Sequence, residues 1–147
     1  MAKKFGATHT INSNSTNATE EIKNILIGQD LDVFVDNTGI PEIIETGYYL
    51  TSKVGRVILV GVPRQGKDIK IHSLPLHFGK TLIGSHGGDS KPERDIPRYL
   101  RLKENGICNF DGLVSRRFNL LEINEAIAVM QDSNNSGRVV IDLWQTR

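Results

Sequence analysis

The stretch GRVILVGVPRQGKDIKIHSLPLHFGKTLIGSHGG, residues 55–88, decides the fold of this chain. It contains two runs of apolar and β-branched residues, at 57–60 and 81–83, that do not alternate with polar residues. Such continuous runs are typical of strands that are covered on both faces. Each run leads into a glycine, Gly61 or Gly84, where the missing side chain lets a bound molecule approach the backbone. The stretch therefore predicts buried strands with a ligand crevice at their ends.

Strand patterns alternate with helix patterns on either side of this stretch. Further strands are predicted at 8–12, 33–36, 113–118 and 138–143, and helices at 18–27, 41–52, 92–104 and 123–130. Thr16 or Asn17 is the expected N-cap of the first helix, and Pro41 suits the first position of the second. Residues 69–72 fit either a half-exposed strand or an extended loop. This alternation predicts an α/β fold in which the strands at 33–36, 57–61 and 81–84 are adjacent and parallel.

Composition excludes several classes of function. The chain has 147 residues, 18 basic against 17 acidic side chains and a formal net charge of +1, so it offers no field that favours nucleic acid. It has no run of about 18 apolar residues and no apolar signal region at its N-terminus, so we expect neither a membrane span nor a secretion signal. Cys108 is the only cysteine, which excludes an internal disulfide and a zinc site built from several thiolates. We expect a soluble protein of the reducing cytoplasm.

Local motifs for phosphate, metal or nucleophilic chemistry are weak. GVPRQGK at 61–67 matches seven positions of a phosphate-binding loop, but Asp68 stands where that motif has Ser or Thr. A plain strand-exit turn is therefore the better interpretation. The four histidines are scattered and nothing places a base beside Cys108, so we expect no metal site and no catalytic residue in this chain.

Three charged residues near predicted strands need a separate interpretation. Asp36 ends a buried run, where it either caps the following turn or reaches into the ligand crevice, and capping is favoured. Arg116 and Arg117 fit a solvated strand face better than a phosphate clamp.

Seven motifs in one order connect the chain with a known family. They are KKFGATHTIN, DVFVDNTG, GRVILVGVP, LHFGKTLIGSHGG, DIPRYLRL, FNLLEINEAIAVM and GRVVIDL, and together they run almost from the first residue to the last. In this order they resemble the C-terminal half of the zinc-type medium-chain alcohol dehydrogenases. The resemblance implies a partial Rossmann-like, doubly wound parallel sheet that lacks its first two strands, followed by an α+β C-terminal segment. It assigns residues 1–86 to a partial dinucleotide-binding domain and residues 87–147 to a segment that completes the catalytic domain in that family.

The resemblance also implies where a nicotinamide cofactor, NAD or NADP, would bind. The implied contacts follow three strands and are Asn37, Thr38 and Gly39, then Val60, Gly61 and Val62, then Gly84, Ser85 and His86. Arg138 matches the arginine that usually reaches the cofactor's pyrophosphate from the last strand of the family fold. The physical interpretation agrees, because nucleotides bind at the carboxyl ends of the strands in an open α/β sheet.

Other parts of the family's site have no counterpart in this sequence. In the family pattern, the glycine-rich turn for the pyrophosphate, the acidic residue for the ribose and the zinc ligands all precede the first residue. We therefore expect weak NAD(P) binding, no zinc ligand and no turnover by the chain alone. The resemblance implies the cofactor-binding portion of an oxidoreductase that passes hydride between an alcohol or aldehyde and NAD(P). A non-catalytic nucleotide-binding or assembly module, and a piece of a zinc-independent reductase of the same superfamily, remain as alternatives.

The resemblance has consequences for both edges of the sheet. Loss of the first two strands leaves residues 33–36 with a bare edge, and we expect residues 8–12 to occupy that place rather than pack loosely. At the other edge, the family commonly pairs the strand at Thr81–Gly84 with its twin across a two-fold axis, and no proline interrupts this strand. The resemblance thus implies a homodimer through Thr81–Gly84.

Overall fold

The computed structural model describes residues 1–132 and 135–144. Its helices are α1 (Ala18–Leu26), α2 (Pro41–Leu50), α3 (Pro92–Glu104) and α4 (Ile123–Gln131). Its strands are β1 (Leu31–Asp36), β2 (Thr51–Leu59), β3 (Thr81–Gly84), β4 (Val114–Asn119) and β5 (Arg138–Asp142). Short 3-10 turns occur at Ala2–Phe5, Leu74–Phe78, Gly87–Asp89 and Leu120–Glu122. None of the helices in the described residues is long and apolar enough to cross a membrane.

The chain folds as two compact units, which are Ile11–Lys91 and Met1–Thr10 with Pro92–Arg147. The first unit holds a three-stranded sheet in the order β1-β2-β3, and the second holds the pair β4-β5. All of these pairings are parallel. The prediction that the strands at 33–36, 57–61 and 81–84 are parallel neighbours is confirmed. The assignment of residues 1–86 and 87–147 to two domains of the dehydrogenase family stays a prediction.

The core of the first unit forms where α2 packs on the sheet. Ile44 and Tyr48 of α2 and Val57 of β2 are each at most 1% exposed. The helix can come this close because Gly47 faces Phe34, where an added Cβ would overlap the aromatic ring. Burial of such large side chains contributes roughly 1.5–3 kcal/mol each, which holds α2 against β1 and β2.

The first helix begins and ends close to where the sequence predicts. Of the two candidate N-caps, Asn17 is used: its side chain accepts from the backbone N–H groups of Thr19 and Glu20 at 3.1 and 3.4 Å. Thr16 instead donates its hydroxyl to the Asn12 carbonyl. At the C-terminal end, Ile27 and Gly28 both have positive φ, so the left-handed cap begins one residue before the expected glycine.

The second helix ends two residues earlier than predicted, because Thr51 directly opens β2. The pairing of β1 with β2 is irregular there: Leu31 lies opposite Thr51, whereas Val33 lies opposite Arg56. β2 therefore carries extra residues near its start, and Gly55 lies among them. An added Cβ at Gly55 would lie 2.8 Å from the Asp32 carbonyl oxygen, so the close approach of β1 requires glycine here.

The predicted strand at residues 8–12 is wrong. These residues have no regular structure, and no strand among the described residues pairs with the outer edge of β1. The physical reason is their polarity, since Thr8, His9 and Thr10 are exposed and only Ile11 is half-buried. Such a segment buries too little apolar surface to offset the entropy of ordering it against an edge.

Residues 69–72 form an extended loop rather than a half-exposed strand, which were the two alternatives that the sequence left open.

The second unit has a smaller core. Phe118 of β4 and Ala126 of α4 are 8% and 3% exposed. A capping box links the two elements, because the Asn119 side chain accepts from the Leu121 N–H at 2.9 Å and the Glu122 carboxylate accepts from the Asn119 N–H at 2.9 Å. The apolar stripe of α3 is more than half exposed.

Candidate cofactor site at the strand ends

The three strands of the first unit end level with one another. Asp36, Leu59 and Gly84 lie side by side in the register of β1, β2 and β3. The residues that follow them therefore meet at one border of the sheet. We call this border the exit edge, and it comprises residues 37–39, 60–62 and 84–86. It brings together nine of the ten predicted cofactor contacts.

Asp36 organises the first turn of the exit edge. Its carboxylate is 1% exposed. One carboxylate oxygen accepts from the Thr38 N–H at 3.0 Å and from the Thr38 hydroxyl at 2.6 Å, and the other accepts from the Gly39 N–H at 2.9 Å. The capping interpretation of Asp36 is thus confirmed.

These bonds also decide the charge of Asp36. Burial alone would raise the pKa of the carboxyl group. The bonds from the Thr38 hydroxyl, the Gly39 N–H and the Thr38 N–H favour the ionised form, however, and they lower the pKa below its ordinary value. The turn after β1 is therefore built around a buried carboxylate whose negative charge is compensated by three local donors.

The turns after β1 and β2 pack directly on each other. The N–H groups of Val60 and Gly61 donate to the Asp36 carbonyl at 2.7 and 3.0 Å. An added Cβ at Gly61 would lie 2.5 Å from the Thr38 nitrogen and still closer to the Gly39 nitrogen, and one at Gly39 would lie 2.5 Å from the Val62 oxygen. Gly61 and Gly39 are therefore required by turn-to-turn packing, whatever else they contact.

The backbone at the end of β3 is less closely packed than the turns after β1 and β2. Beyond its two chain neighbours, no atom in the described part of the chain lies within 4 Å of the position that a Cβ of Gly84 would take, and the φ of Gly84 is not in the left-handed region. The Ser85 N–H donates to the Leu59 carbonyl at 2.8 Å, which continues the ladder with β2. The Ser85 hydroxyl accepts from the Gly88 N–H at 3.1 Å, and His86 is exposed before the 3-10 turn. Free space at Gly84 is what the close approach of a ligand to the backbone needs.

A cavity of about 440 Å³ lies beside the first two turns. Its lining includes Thr38, Gly39 and Val62 of the exit edge. The beginning of α2 and the loop after β2 complete it with Ile40, Pro41, Glu42, Arg64 and Lys67. Cavities of about 300–1,000 Å³ are the usual size of small-molecule sites. The exit edge is thus a border with room for a ligand beside it.

Arg138, the tenth predicted contact, belongs to the second unit. It is the first residue of β5, and its backbone N–H donates to the Leu113 carbonyl at 2.6 Å. Its side chain is exposed, as are those of Arg116 and Arg117 on β4, in agreement with a solvated strand face. The role of Arg138 at a pyrophosphate stays a prediction from the resemblance.

Sequence reasoning missed Lys80. Its side chain is 5% exposed, and its ammonium group donates to the carbonyl oxygens of Tyr48 and, at 2.7 Å, Thr51. The ammonium also lies 4.2 Å from the centre of the Tyr48 ring. Burial lowers the pKa of Lys80. The sequence shows only a lysine before an apolar run, and nothing in that pattern indicates a cation that caps a helix C-terminus.

Comparison with known proteins assigns the family. A family model described as zinc-binding dehydrogenase matches residues 1–105. NDMA-dependent alcohol dehydrogenase of Amycolatopsis methanolica is 28% identical over 145 residues, which are 95% of this chain and 38% of the relative. Benzyl alcohol dehydrogenase from Acinetobacter calcoaceticus has a TM-score of 0.84 and 31% identity, over 97% of this chain and 39% of that one. A zinc-binding dehydrogenase-type protein from Sinorhizobium meliloti 1021, bound to NADP, has a TM-score of 0.72 and 27% identity. The match covers 96% of this chain and 41% of that one.

These similarities confirm the predicted fold class, a partial Rossmann-like sheet with a C-terminal α+β segment. The chain spans about two fifths of the length of the relatives that it matches. The family model covers most of the chain, and the chain belongs to the zinc-binding dehydrogenase family.

Proposed function

We propose that the exit edge binds a nicotinamide cofactor, NAD or NADP. On this proposal the chain is the cofactor-binding portion of an oxidoreductase that passes hydride between an alcohol or aldehyde and NAD(P). The observation that carries the proposal is the level ending of three parallel strands beside a cavity, with open space at Gly84. The carboxyl end of such a sheet is where dinucleotides bind in doubly wound folds. The NADP held by the Sinorhizobium meliloti relative supports the same assignment.

The residues of the edge suit different parts of a cofactor. The N–H groups of Val60, Gly61 and Ser85 already donate within the protein. The backbone at Gly84 can exchange hydrogen bonds with polar ligand groups, because little side-chain bulk covers it. The exposed His86 ring and the half-buried Ser85 lie at the same border. When bound, the cofactor would supply the hydride chemistry, and the residues of this chain would position it.

Zinc has no place in this proposal. Within residues 1–132 and 135–144, no group of three or more His, Cys, Asp or Glu side chains could hold a metal ion. His9, His72, His77 and His86 are all exposed and lie on separate segments. The described residues therefore do not fit the family's metal, and we derive no step through it.

A substitution at Gly84 tests the proposal. Gly84→Val should leave the fold intact, because its Cβ meets no protein atom, but the new side chain should fill the space that the ligand needs. We expect saturation-transfer NMR to show that the parent chain binds NADH. The variant should bind NADH about tenfold more weakly, which corresponds to a loss of roughly 1.4 kcal/mol of binding free energy. Thr81→Val, at the other end of the same strand, is the matched control and should bind as the parent does.

Equal NADH binding by Gly84→Val and the parent chain would show that the ligand does not use the exit edge. Circular dichroism and thermal melting of both variants would establish that they are folded.

We further propose that the chain forms a homodimer through β3 and works in the cytoplasm. β3 is the last strand in the order β1-β2-β3, and Ile83, Leu74 and Phe78 beside it are more than half exposed. An edge strand with apolar neighbours and no proline favours pairing with a second copy. The same observation favours the second candidate function, an assembly module that binds nucleotide without turnover.

A further inference from the structure

The last strand of the first sheet has little packing of its own. β3 is four residues long and lies at the end of the order β1-β2-β3. Within it only Leu82 is half-buried, and the other three residues are exposed. Register is strongly specified where one face of a strand is buried, and a slip by one residue turns every side chain to the other face. The side chains of β3 therefore explain only weakly why Gly84 lies opposite Leu59.

The residue immediately before β3 is held much more firmly. The buried ammonium group of Lys80 donates to the carbonyl oxygen of Tyr48, near the C-terminal end of α2, and to that of Thr51, at the start of β2, the second at 2.7 Å. The backbone N–H of Lys80 donates to the Pro75 carbonyl oxygen at 3.2 Å. Lys80 thus joins the end of α2, the start of β2 and the 3-10 turn that precedes β3.

The acceptors of Lys80 are themselves fixed by packing and hydrogen bonds. Tyr48 and Thr51 are 1% and 4% exposed. The Thr51 hydroxyl donates to the Gly47 carbonyl at 2.6 Å, and the Tyr48 hydroxyl donates to the His72 carbonyl at 2.7 Å. The carbonyl groups at a helix C-terminus carry partial negative charge and favour a cation. The ammonium of Lys80 therefore has one defined place, and this defines where β3 begins.

We propose that Lys80 sets the register of β3 and thereby holds Gly84 at the exit edge. The inference rests on the proposed function, because the cofactor is the ligand for which Gly84 leaves space. A slip by one residue would move the backbone by about 3.3 Å and would bring Ile83 or Ser85 to the place of the glycine. Lys80 is a positioning residue, since it lies at the end of β3 opposite to the exit edge and acts through the strand.

The test follows the register and NADH binding separately in Lys80→Met, at a temperature at which the parent chain and the variants are folded. In the parent chain, nuclear Overhauser contacts should join Leu59 and Gly84, and the Ser85 amide should exchange slowly because it donates to the Leu59 carbonyl. We expect Lys80→Met to lose both signs of the register and to bind NADH about tenfold more weakly. The amide signal of Gly39, in the turn after β1, should keep its position.

Three further variants sharpen this test. Lys80→Arg keeps a buried cation with several N–H donors and should recover the register and most of the NADH affinity. Lys53→Met removes an exposed lysine of β2 and is the matched control, which should behave as the parent chain does. If Lys80→Met does not fold, Lys80→Gln carries the same test, because its amide donates from one atom nearer the backbone and should displace β3 at a smaller loss of stability.

A role of Lys80 in stability alone gives a different result. It would lower the melting temperature of Lys80→Met, but the folded molecules would keep the contacts between Leu59 and Gly84 and would bind NADH as the parent chain does. That result would overturn the inference. So would a variant that loses these contacts and still binds NADH with the parent affinity.

Failure of this inference is distinguishable from failure of the proposed function. If Lys80→Met keeps the parent register and affinity while Gly84→Val weakens NADH binding, the role of Lys80 is wrong and the exit-edge proposal stands. If the parent chain does not bind NADH, the proposed function fails. The contacts between Leu59 and Gly84 in Lys80→Met then still decide whether Lys80 sets the register of β3.

Discussion

Single residues at the exit edge have two distinct tasks, and the structure separates them. Gly61 and Gly39 make room for protein backbone, since a side chain at either position would overlap the neighbouring turn. At Gly84, by contrast, no atom of the described residues beyond its two chain neighbours lies within 4 Å of the position of a Cβ. The sequence predicts a functional glycine at both Gly61 and Gly84, but it cannot distinguish a glycine that packs from a glycine that leaves space. That distinction depends on contacts between turns that are distant along the chain.

Asp36 should make the fold sensitive to acid. Its pKa is lowered in the folded chain, so it contributes stability above its unfolded pKa of about 3.9, and this contribution is lost as the pH falls through the folded value. Asp36→Asn removes the charge and leaves the Gly39 N–H without a good acceptor, a cost of roughly 1–3 kcal/mol at neutral pH. We therefore expect the parent chain and the variant to differ less in their free energy of unfolding below about pH 4 than at neutral pH. Urea unfolding at both pH values measures this difference.

Asp30→Asn, in the exposed turn before β1, serves as the control and should show no comparable change. A gap that stays constant between neutral and acidic pH would mean that the Asp36 carboxylate does not hold the turn.

Lys80 is expected to stabilise the junction of α2 and β2. Lys80→Met keeps most of the buried aliphatic volume but leaves the carbonyl oxygens of Tyr48 and Thr51 without their donor. Each unsatisfied buried group costs roughly 1–3 kcal/mol, so urea unfolding should show a loss of about 2 kcal/mol or more. Lys53→Met, on the exposed part of β2, should change stability by less than about 0.5 kcal/mol. If Lys80→Met and Lys53→Met had the same free energy of unfolding, Lys80 would not cap the C-terminal end of α2.

At the scale of elements, the positions of the strands and of their helices follow directly from the sequence. Continuous apolar runs, Pro41 at the first helical position and Asn17 at a cap are local signals, and the structure confirms the elements that they predict. The predicted burial on both faces is wrong for β1 and β3, where Val35 and Ile83 are more than half exposed, because no described element covers those side chains. The strand expected at 8–12 fails because its polar residues bury too little apolar surface to offset the entropy of ordering them against the edge of β1. The extra residues of β2 near Gly55 could not be predicted either, since they depend on how β1 approaches it.

The free edge of β3 gives a test of assembly. The Ser85 N–H points to β2, and alternation along the strand directs the Leu82 N–H away from β2, toward the free edge. Leu82→Pro should therefore remove one outward donor without breaking the ladder with β2. We expect sedimentation velocity to show a dimer for the parent chain and a shift toward monomer for the variant.

Leu82→Val keeps the donor and should remain dimeric. A parent chain that sediments as a monomer at high concentration, or a proline variant that stays dimeric, would exclude β3 as the interface.

For the whole molecule, the sheet of the first unit leaves apolar side chains uncovered by the described residues. Val35 and Ile83 are each more than half exposed. A parallel sheet is normally covered on both faces, so these surfaces favour association.

The central claim is that the exit edge binds a nicotinamide cofactor, and chemical-shift mapping tests it most directly. Uniformly ¹⁵N-labelled chain would be titrated with NADH up to millimolar concentration, because we expect weak binding. The account predicts progressive shifts of the amide signals of residues 37–39, 60–62 and 84–86, while Thr81 at the far end of β3 stays unchanged. An unchanged spectrum, or shifts confined to residues outside these three segments, would contradict it.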